Sequence, residues 1–208
     1  MRNFTNLIER FSQVELNGFE AQRKYAPVGR ITPTWEEIKH KNPKKAAVNI
    51  LLYSKNGKWF FPLILRTFNQ NDHHSGQISL PGGQYEKQDI NLASTAIRET
   101  FEEIGIPKNK IKIIRELSPI YIPTSNYYVH SFVSWTSISP DFKLQKSEVQ
   151  ELIQLPLSTI LNLPKEPEMK SLPSTKNQKV PIIDFNGYII WGATFMILSE
   201  FRDLMKKV

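Results

Sequence analysis

The sequence predicts a mixed α/β domain, because strand-type and helix-type patterns alternate along it. Two apolar runs rich in β-branched and aromatic residues flank Asn56-Gly57, a dipeptide typical of a tight β-hairpin. Apolar residues recur at helical spacing over residues 92–104, and Gly105 followed by Pro107 ends that pattern. A second amphipathic helix is predicted over residues 193–205, close to the C-terminus.

The first half of the chain is predicted to contain an N-terminal extension and a hairpin. Residues 1–45 form the extension, which we expect to pack on the domain and to include a short helix at 7–11. The domain, residues 46–208, begins with a buried strand at 46–53. Its hairpin partner contains Pro62, which indicates a sheet edge or a bulge.

The second half alternates strands and loops. The apolar stretches 111–122 and 128–135 are both predicted to be strands. Residues 126–128 between them form either a simple turn or a loop that faces the substrate. The proline-rich, polar stretch 164–179 is predicted to be a loop or a flap.

Composition narrows the class of protein. The 208 residues, 40% of them hydrophobic, suit one domain with additions. The absence of cysteine excludes disulfides, thiolate ligands and a cysteine nucleophile. No apolar run reaches membrane-spanning length and the start lacks an apolar signal segment, so a cytoplasmic enzyme without membrane contact is expected.

The net charge of +7 comes from lysines scattered along the chain, without a nucleic-acid-binding motif. We therefore expect no nucleic-acid partner. A basic surface instead favours encounter with a polyanionic small molecule.

Three carboxylates on the predicted helix carry the main functional signal. Glu99, Glu102 and Glu103 stand at positions i, i+3 and i+4, so they share a helical face, where like charges repel. A hard divalent cation with oxygen ligands would relieve that repulsion. The alternative is a solvated acidic face with an Arg98–Glu102 ion pair. Two features favour a functional site over a solvated acidic face. They are the arginine beside Glu99 and a Gly82-Gly83 turn that is predicted to lead into the helix.

Residues 83–106 resemble the signature of the Nudix hydrolases, G-x5-E-x7-R-E-U-x-E-E-x-G-U, where U is a bulky aliphatic residue. The second half of the signature matches residues 98–106, with Thr100 at the first aliphatic position. The first half departs: Asp89 replaces the glutamate, and fourteen residues rather than thirteen separate Gly83 from Arg98.

This departure resembles the coenzyme A pyrophosphatase-like branch of the family, in which the extra residue and the aspartate are usual. Residues 65–67 and 74–83 are similar to the second motif of that branch, LLxxRS…HxGQxxFPGG, with Thr67 in place of Ser and Leu80 in place of Phe. Residues 190–194 are similar to its IWGxT segment.

The resemblance implies a Nudix-type α/β/α sandwich, with a mixed β-sheet between helical layers. It implies metal-dependent hydrolysis of a diphosphate linkage, in coenzyme A or acyl-coenzyme A, to 4′-phosphopantetheine (or its acyl form) and adenosine 3′,5′-bisphosphate. The alternatives are a pyrophosphatase for ADP-ribose or a nucleotide sugar, and a non-catalytic Nudix-fold regulator that binds a ligand.

The resemblance also implies roles for particular residues. Glu99 and Glu103 would be the primary ligands of Mg²⁺ or Mn²⁺, and Glu102 a further ligand. Glu99 and Glu148 are both candidates for the general base, and Glu148 is also a possible additional ligand.

Three further residues are candidates for substrate binding. Arg66 and Gln77 belong to the second motif, and for them a structural role at the sheet is an equal alternative. Gly83 would allow close approach of phosphate or metal. Trp191 is assigned to the core, and His73-His74 to a polar loop or the substrate side.

Overall fold

A computed structural model of the chain describes residues 2–27, 30, 33–68, 75–164, 166–175 and 177–208. The helices are α1 (Arg2–Gln13), α2 (Phe19–Arg23), α3 (Trp35–His40), α4 (Leu92–Ile104), α5 (Leu157–Leu161) and α6 (Gly192–Met205). The strands are β1 (Lys44–Lys55), β2 (Lys58–Arg66), β3 (Ile78–Ser79), β4 (Gly82–Gln84), β5 (Lys112–Glu116), β6 (Ile120–Ile122), β7 (Tyr127–Trp135), β8 (Val149–Pro156), β9 (Glu168–Ser171), β10 (Lys179–Phe185) and β11 (Tyr188–Trp191).

The main sheet is mixed, as the sequence predicted. Its strand order is β3-β2-β1-β7-β5, and β4, β6 and β8 pair with β1, β7 and β2 respectively. The pairing of β1 with β7 is parallel, whereas the other pairings in this sheet are antiparallel. A smaller antiparallel sheet has the order β11-β10-β9.

The β1–β2 hairpin has the predicted two-residue turn. Lys55 pairs with Lys58, and Asn56 and Gly57 between them have φ values of 51° and 72°. Two consecutive left-handed residues match the right-handed twist of the flanking strands, which explains why this dipeptide forms the turn.

The prediction that Pro62 marks an edge holds locally, because among the described strands Pro62 has a paired strand on only one side. β2 lies inside the sheet, where Pro62 pairs with Gln154 of β8, and its irregularity lies at Leu65/Arg66. β1 pairs with β2 only as far as Phe60, and β3 pairs with the same side of β2 from Ile64 onward. Pro62 falls in the interval between them, where its missing N–H is tolerated.

Helices cover both faces of the main sheet, which confirms the sandwich. Alternate residues of a strand point to opposite faces. Along β1, Ile50 and Leu52 join the core that contains α6, whereas Leu51 packs with Ile104 of α4. The chain therefore has an α6 face and an α4 face, and these two terms are used below.

The bounds of α4 agree with the prediction, and the helix buries more than the predicted apolar face. Asn91 accepts a hydrogen bond from the Ser94 amide in a capping box, and Gly105 ends the helix in the left-handed region at φ 79°. Phe101, predicted to be buried, is 44% exposed, and Glu103, predicted to lie on the opposite side, is 1% exposed. Ala96, Thr100 and Ile104 are buried as the pattern predicts, so α4 packs with its apolar residues and with part of its carboxylate face.

Two predicted segments differ from the structure. Residues 111–122 contain β5 and β6, which pair with different parts of β7. The predicted loop 164–179 contains β9, which pairs with β10. Local sequence does not indicate this strand, because its hydrogen-bonding partner lies farther along the chain.

The N-terminal extension packs against α6, which lies on the α6 face of the sheet. The Phe11 ring meets the Phe201 ring edge-on with 5.7 Å between centroids, and Tyr25 packs on Phe195. The Gln22 amide donates to Glu200 of α6 at 2.8 Å. α6 is buried on nearly all sides, including its polar residues Ser199, Glu200 and Arg202, so the predicted amphipathic helix has little exposed surface. Within the described ranges, no helix has the length and apolar composition to cross a bilayer.

The packing of the extension can be tested with Phe11→Ala. Loss of this buried ring should lower the free energy of unfolding by about 3–5 kcal/mol, measured by urea denaturation. Phe68→Ala removes the same ring from a position that is 73% exposed and should change stability by less than about 0.5 kcal/mol. Equal effects of the two substitutions would show that the extension does not contribute to the core.

Candidate active site

Arg98 lies at the centre of the acidic cluster. Its Nη1 donates to Glu99 Oε1 at 2.8 Å and to Glu102 Oε2 at 2.9 Å, and its Nη2 donates to the Gln84 carbonyl at 3.0 Å. The side chain is buried although it is charged. A buried guanidinium is stable when its donors meet carboxylates, so Arg98 and the glutamates hold one another in place.

Asp89, which departs from the family signature, completes the ring around Arg98. Its two oxygens accept from Arg98 Nε at 2.9 Å and Nη2 at 3.0 Å, a bidentate geometry. It also accepts from the Glu86 amide and the Thr95 hydroxyl. The hydrogen bonds from Arg98 are the main reason that the pKa of Asp89 is lowered to about 2.

Glu99 lies directly against β4. A Cβ added to Gly83 would be 2.4 Å from Glu99 Oε1, so the carboxylate occupies the space of the missing side chain. Burial raises the pKa of Glu99, and the neighbouring Arg98 partly offsets that rise. Gly83 is therefore required here for the space that it leaves.

Glu103 is the most buried carboxylate of the cluster. Its Oε2 accepts from the Gly82 amide at 2.9 Å, and its Oε1 is 4.0 Å from Arg66 Nη1. Its pKa is raised to about 8, mainly by burial and in part by the charges of Glu99 and Glu148. The protein thus holds a carboxylate in a place that disfavours its ionised form.

Glu102 and Glu148 lie at the outside of the cluster. The Glu102 side chain is 47% exposed and is held by Arg98. Glu148 precedes β8, exposed to solvent, and its carbonyl accepts from the Thr67 amide at 2.9 Å. Its charge acts on both Glu99 and Glu103. The structure therefore brings together the four glutamates that the sequence singled out.

The prediction of a Gly82-Gly83 turn is wrong. Both residues belong to β4 and pair with Val48 and Ala47 of β1. The segment from Tyr85 to Asn91 separates them from α4. The glycines serve the site in another way, since they let Glu99 and Glu103 approach the strand backbone.

Thr100, the polar residue at an aliphatic position of the signature, has a buried partner. Its hydroxyl accepts from Asn49 Nδ2 of β1 at 2.9 Å, and Asn49 Oδ1 accepts from Ser134 of β7 at 2.7 Å. These hydrogen bonds satisfy polar groups that would otherwise be costly to bury. They hold α4 against the sheet at the level of the carboxylates.

The residues of the cluster fit a hard divalent cation in their chemistry. The site contains more carboxylates than guanidinium groups, and the atoms that could coordinate a cation are carboxylate oxygens. Among the described residues, no three histidine or acidic side chains are already arranged around a common point. The reason is that Glu99 and Glu102 turn toward Arg98, and Glu103 turns toward the Gly82 amide.

A cleft of about 770 Å³ opens on the α6 face and extends to β4. There it is lined by Gly82 and Gly83, whose other neighbours are the carboxylates of Glu103 and Glu99. The predicted substrate residues Arg66, Gln77 and Gly83 all line it. Its other lining residues are Pro27, Arg30, Ala46, Val48, Ile78, Ser79, Leu80, Gly82, Gln84, Ile122, Pro123, Thr124, Ser125, Tyr127, Val129, Ser174, Trp191, Gly192, Ala193, Thr194 and Ile197. Since most of these are apolar, the cleft suits a ligand with a long uncharged part.

Several cleft residues were missed or misassigned from the sequence. Trp191, assigned to the core, lines the cleft. Of residues 126–128, predicted to be a turn or a substrate-facing loop, Asn126 lies in the turn between β6 and β7, whereas Tyr127 and Tyr128 begin β7. The turn residues 123–125 line the cleft. No local sequence pattern indicated that Arg30 lines the cleft, because only the packing of the N-terminal extension brings it to this position. His73-His74 lie outside the described residues.

Comparison with known proteins identifies relatives of the chain. Residues 43–174 match the NUDIX domain family. The chain is 31% identical over 142 residues to the uncharacterized Nudix hydrolase NudL of Yersinia pestis (strain Pestoides F), which covers 67% of this chain and 70% of the relative. NudL of Yersinia pseudotuberculosis serotype O:1b (strain IP 31758) matches equally.

Solved structures share the fold at low sequence identity. The Nudix hydrolase RenU from M. smegmatis has a TM-score of 0.55 at 12% identity, over 80% of this chain and 88% of that one. The NUDIX domain of Shewanella oneidensis NrtR, solved with ADP ribose, has a TM-score of 0.52 at 14% identity, over 82% and 98%.

The two glycines of β4 should respond differently to alanine. In Gly83→Ala the new methyl group displaces the movable Glu99 carboxylate, so kcat should fall roughly 100-fold with little loss of stability. In Gly82→Ala it meets the Ala47 carbonyl of the neighbouring strand at 2.4 Å, so stability should fall by about 1–3 kcal/mol. Thermal melts and steady-state kinetics separate these effects. A Gly83→Ala enzyme with parental kcat would contradict the placement of Glu99.

Proposed function

Since the chain belongs to the Nudix hydrolase family and is a Nudix pyrophosphatase, we propose that it hydrolyses coenzyme A or acyl-coenzyme A. Water attacks the diphosphate, one phosphoanhydride bond breaks, and the products are 4′-phosphopantetheine, or its acyl form, and adenosine 3′,5′-bisphosphate. The observation that carries the proposal is that Arg66, Gln77 and Gly83 of the second motif line one cleft, and that Gly83 and Arg66 also lie beside the carboxylates of Glu99 and Glu103.

The shape and lining of the cleft support this substrate class. A volume of about 770 Å³ is large enough for an extended nucleotide derivative. Apolar residues from β1 and α6, such as Val48 and Ile197, form much of its wall. Such a wall suits the uncharged pantetheine arm better than the second ribose of ADP-ribose.

The carboxylates favour an enzyme over a ligand-binding regulator. Glu103 is 1% exposed, and burial raises its pKa to about 8. Keeping such a group has a cost in stability that an apolar residue would avoid. A bound cation at this position would offset the cost, and it would serve hydrolysis directly.

Glu99, Glu102 and Glu103 are the residues that would hold the divalent cation, Mg²⁺ or Mn²⁺. Nudix hydrolases generally use such ions. When bound, the ion neutralises the diphosphate oxygens and lowers the pKa of a water molecule. Arg98 holds two of these carboxylates in position from within the helix. Arg66, on the cleft wall beside Glu103, is placed to meet the diphosphate.

Glu148 is the better placed of the two candidate bases. Glu99 is engaged by Arg98 at 2.8 Å, lies against Gly83 and is buried, so its carboxylate is poorly accessible to an attacking water molecule. Glu148 is exposed, and its backbone is fixed beside the end of β2 by the Thr67 amide. A base needs access to the attacking water as well as proximity.

Glu148→Gln should therefore lower kcat by roughly 10²–10⁴-fold. The Mg²⁺ concentration for half-maximal activity should stay within about threefold of the parent, because the cation ligands are unchanged. Kinetics over a Mg²⁺ titration measure both quantities. A small change in kcat would instead leave Glu99 as the base.

Glu103→Gln should abolish most of the activity while the fold remains. The amide lacks the charge that the cation requires, so kcat should fall roughly 100-fold or more. EDTA should inactivate the parent, and Mg²⁺ or Mn²⁺ should restore it. Glu86→Gln, at an exposed carboxylate 3.7 Å from Arg98, is the charge-matched control and should retain activity. Full activity of the parent without metal would contradict the mechanism.

The same variant predicts a pH dependence of stability in EDTA. The pKa of Glu103 rises from 4.5 to about 8 on folding, so the metal-free parent should lose stability as pH increases through that interval. Glu103→Gln has no such ionisation, and its melting temperature should exceed that of the parent increasingly toward pH 8. Parallel pH profiles would show that this carboxylate is not destabilised by burial.

Coenzyme A should be cleaved with a higher kcat/KM than ADP-ribose. Contacts of the cleft with the pantetheine arm can stabilise the transition state at the diphosphate. Chromatography should detect 4′-phosphopantetheine and adenosine 3′,5′-bisphosphate as products. If ADP-ribose is hydrolysed readily and coenzyme A is not, the proposed substrate is wrong, whereas the diphosphate chemistry stands.

A further inference from the structure

Arg30 is a cation of the N-terminal extension that lines the substrate cleft. Its Nη2 donates to the Tyr121 carbonyl of β6 at 2.6 Å, and its Nη1 lies 3.1 Å from Met196 Sδ of α6. These two contacts fix the guanidinium between the sheet and α6. Neither contact neutralises its charge.

Within the part of the chain that the structure describes, no carboxylate lies within ion-pair distance of Arg30. Two fully buried arginines differ: Arg98 is surrounded by carboxylates and Arg202 is paired with Asp203. Burial lowers the pKa of Arg30, which shows that its charge is poorly solvated. A guanidinium with donors to spare, facing a cleft, is suited to an anionic ligand.

The position of Arg30 separates it from the diphosphate. The strands lie in the order β4, β1, β7, β6, with Gly82 at one end and Tyr121 at the other. Three strand spacings amount to roughly 14 Å. The two phosphates of a diphosphate are adjacent, so a substrate cleaved at β4 meets Arg30 with a different group.

We propose that Arg30 determines substrate specificity by binding a phosphate ester of the substrate that lies away from the diphosphate. This inference rests on the proposed function, because coenzyme A carries one such group, the 3′-phosphate of its adenosine. The N-terminal extension then contributes to the substrate site as well as to the core. ADP-ribose, which has no such phosphate, would leave the guanidinium without an anion.

The test compares two ligands that differ in that phosphate and that the enzyme does not hydrolyse. Adenosine 3′,5′-bisphosphate and adenosine 5′-monophosphate are titrated into the full chain by calorimetry with Mg²⁺ present. The parent should prefer the bisphosphate by about tenfold or more, which corresponds to about 1.4 kcal/mol. Arg30→Gln should bind both ligands equally within about twofold. Arg30→Lys, which keeps the charge without the planar fork, should retain part of the preference.

Arg23→Gln is the matched control. It removes the same charge from the same extension, at an exposed position paired with Glu20, and should keep the parental preference. Thermal melts of all variants establish folding, and if Arg30→Gln does not fold, Arg30→Lys decides. A parent without preference, or a preference that survives substitution of Arg30, would overturn the inference.

Turnover of coenzyme A by the parent is scored separately. If coenzyme A is not hydrolysed but the Arg30-dependent preference is found, the proposed substrate fails and the phosphate site stands. If coenzyme A is hydrolysed and Arg30→Gln leaves the preference intact, the phosphate site fails alone.

Discussion

The charges of α4 are held together by one guanidinium, and the geometry of the site follows from it. Arg98 donates to Asp89, Glu99, Glu102 and the Gln84 carbonyl, so it joins the helix to the loop before it and to the end of β4. Without that cation, the buried carboxylates would repel one another and the helix face that carries them would favour solvent. With it, the carboxylates can lie against the strand, where glycines leave room for them.

The candidate catalytic carboxylates and the cleft proposed to bind the substrate lie in different layers of the sandwich. The carboxylates come from α4 on one face of the sheet, and the cleft lies on the α6 face. β4 connects the two, because Gly82 and Gly83 border the cleft and contact Glu103 and Glu99. In the proposed mechanism, substitutions in the cleft would therefore alter specificity while the carboxylates proposed to bind the metal stay in place. The N-terminal extension takes part in this arrangement, since it covers α6 and places Arg30 at the cleft.

The departures from the family signature have physical counterparts in the fold. Thr100, in place of an aliphatic residue, forms a buried hydrogen bond with Asn49, so the helix is held to β1 by polar as well as apolar contacts. Asp89, in place of glutamate, accepts from Arg98 with both oxygens. Thr100 and Asp89 therefore each have hydrogen-bond partners for their polar groups, so the acidic cluster is retained despite these two substitutions.

The sequence by itself determined the features that depend on neighbours along the chain. The end of α4 follows from Gly105 and Pro107, the hairpin follows from Asn56-Gly57, and the spacing of the glutamates places them on one helical face. Tertiary structure decided which of these groups are buried. Phe101 is exposed and Glu103 buried, Gly82-Gly83 form a strand, and β9 pairs within a stretch predicted to be a loop. Arg30 and Trp191 reach the cleft only through packing. The physical reason is that burial, strand pairing and cleft lining depend on contacts between residues far apart in sequence, and local pattern carries no record of those contacts.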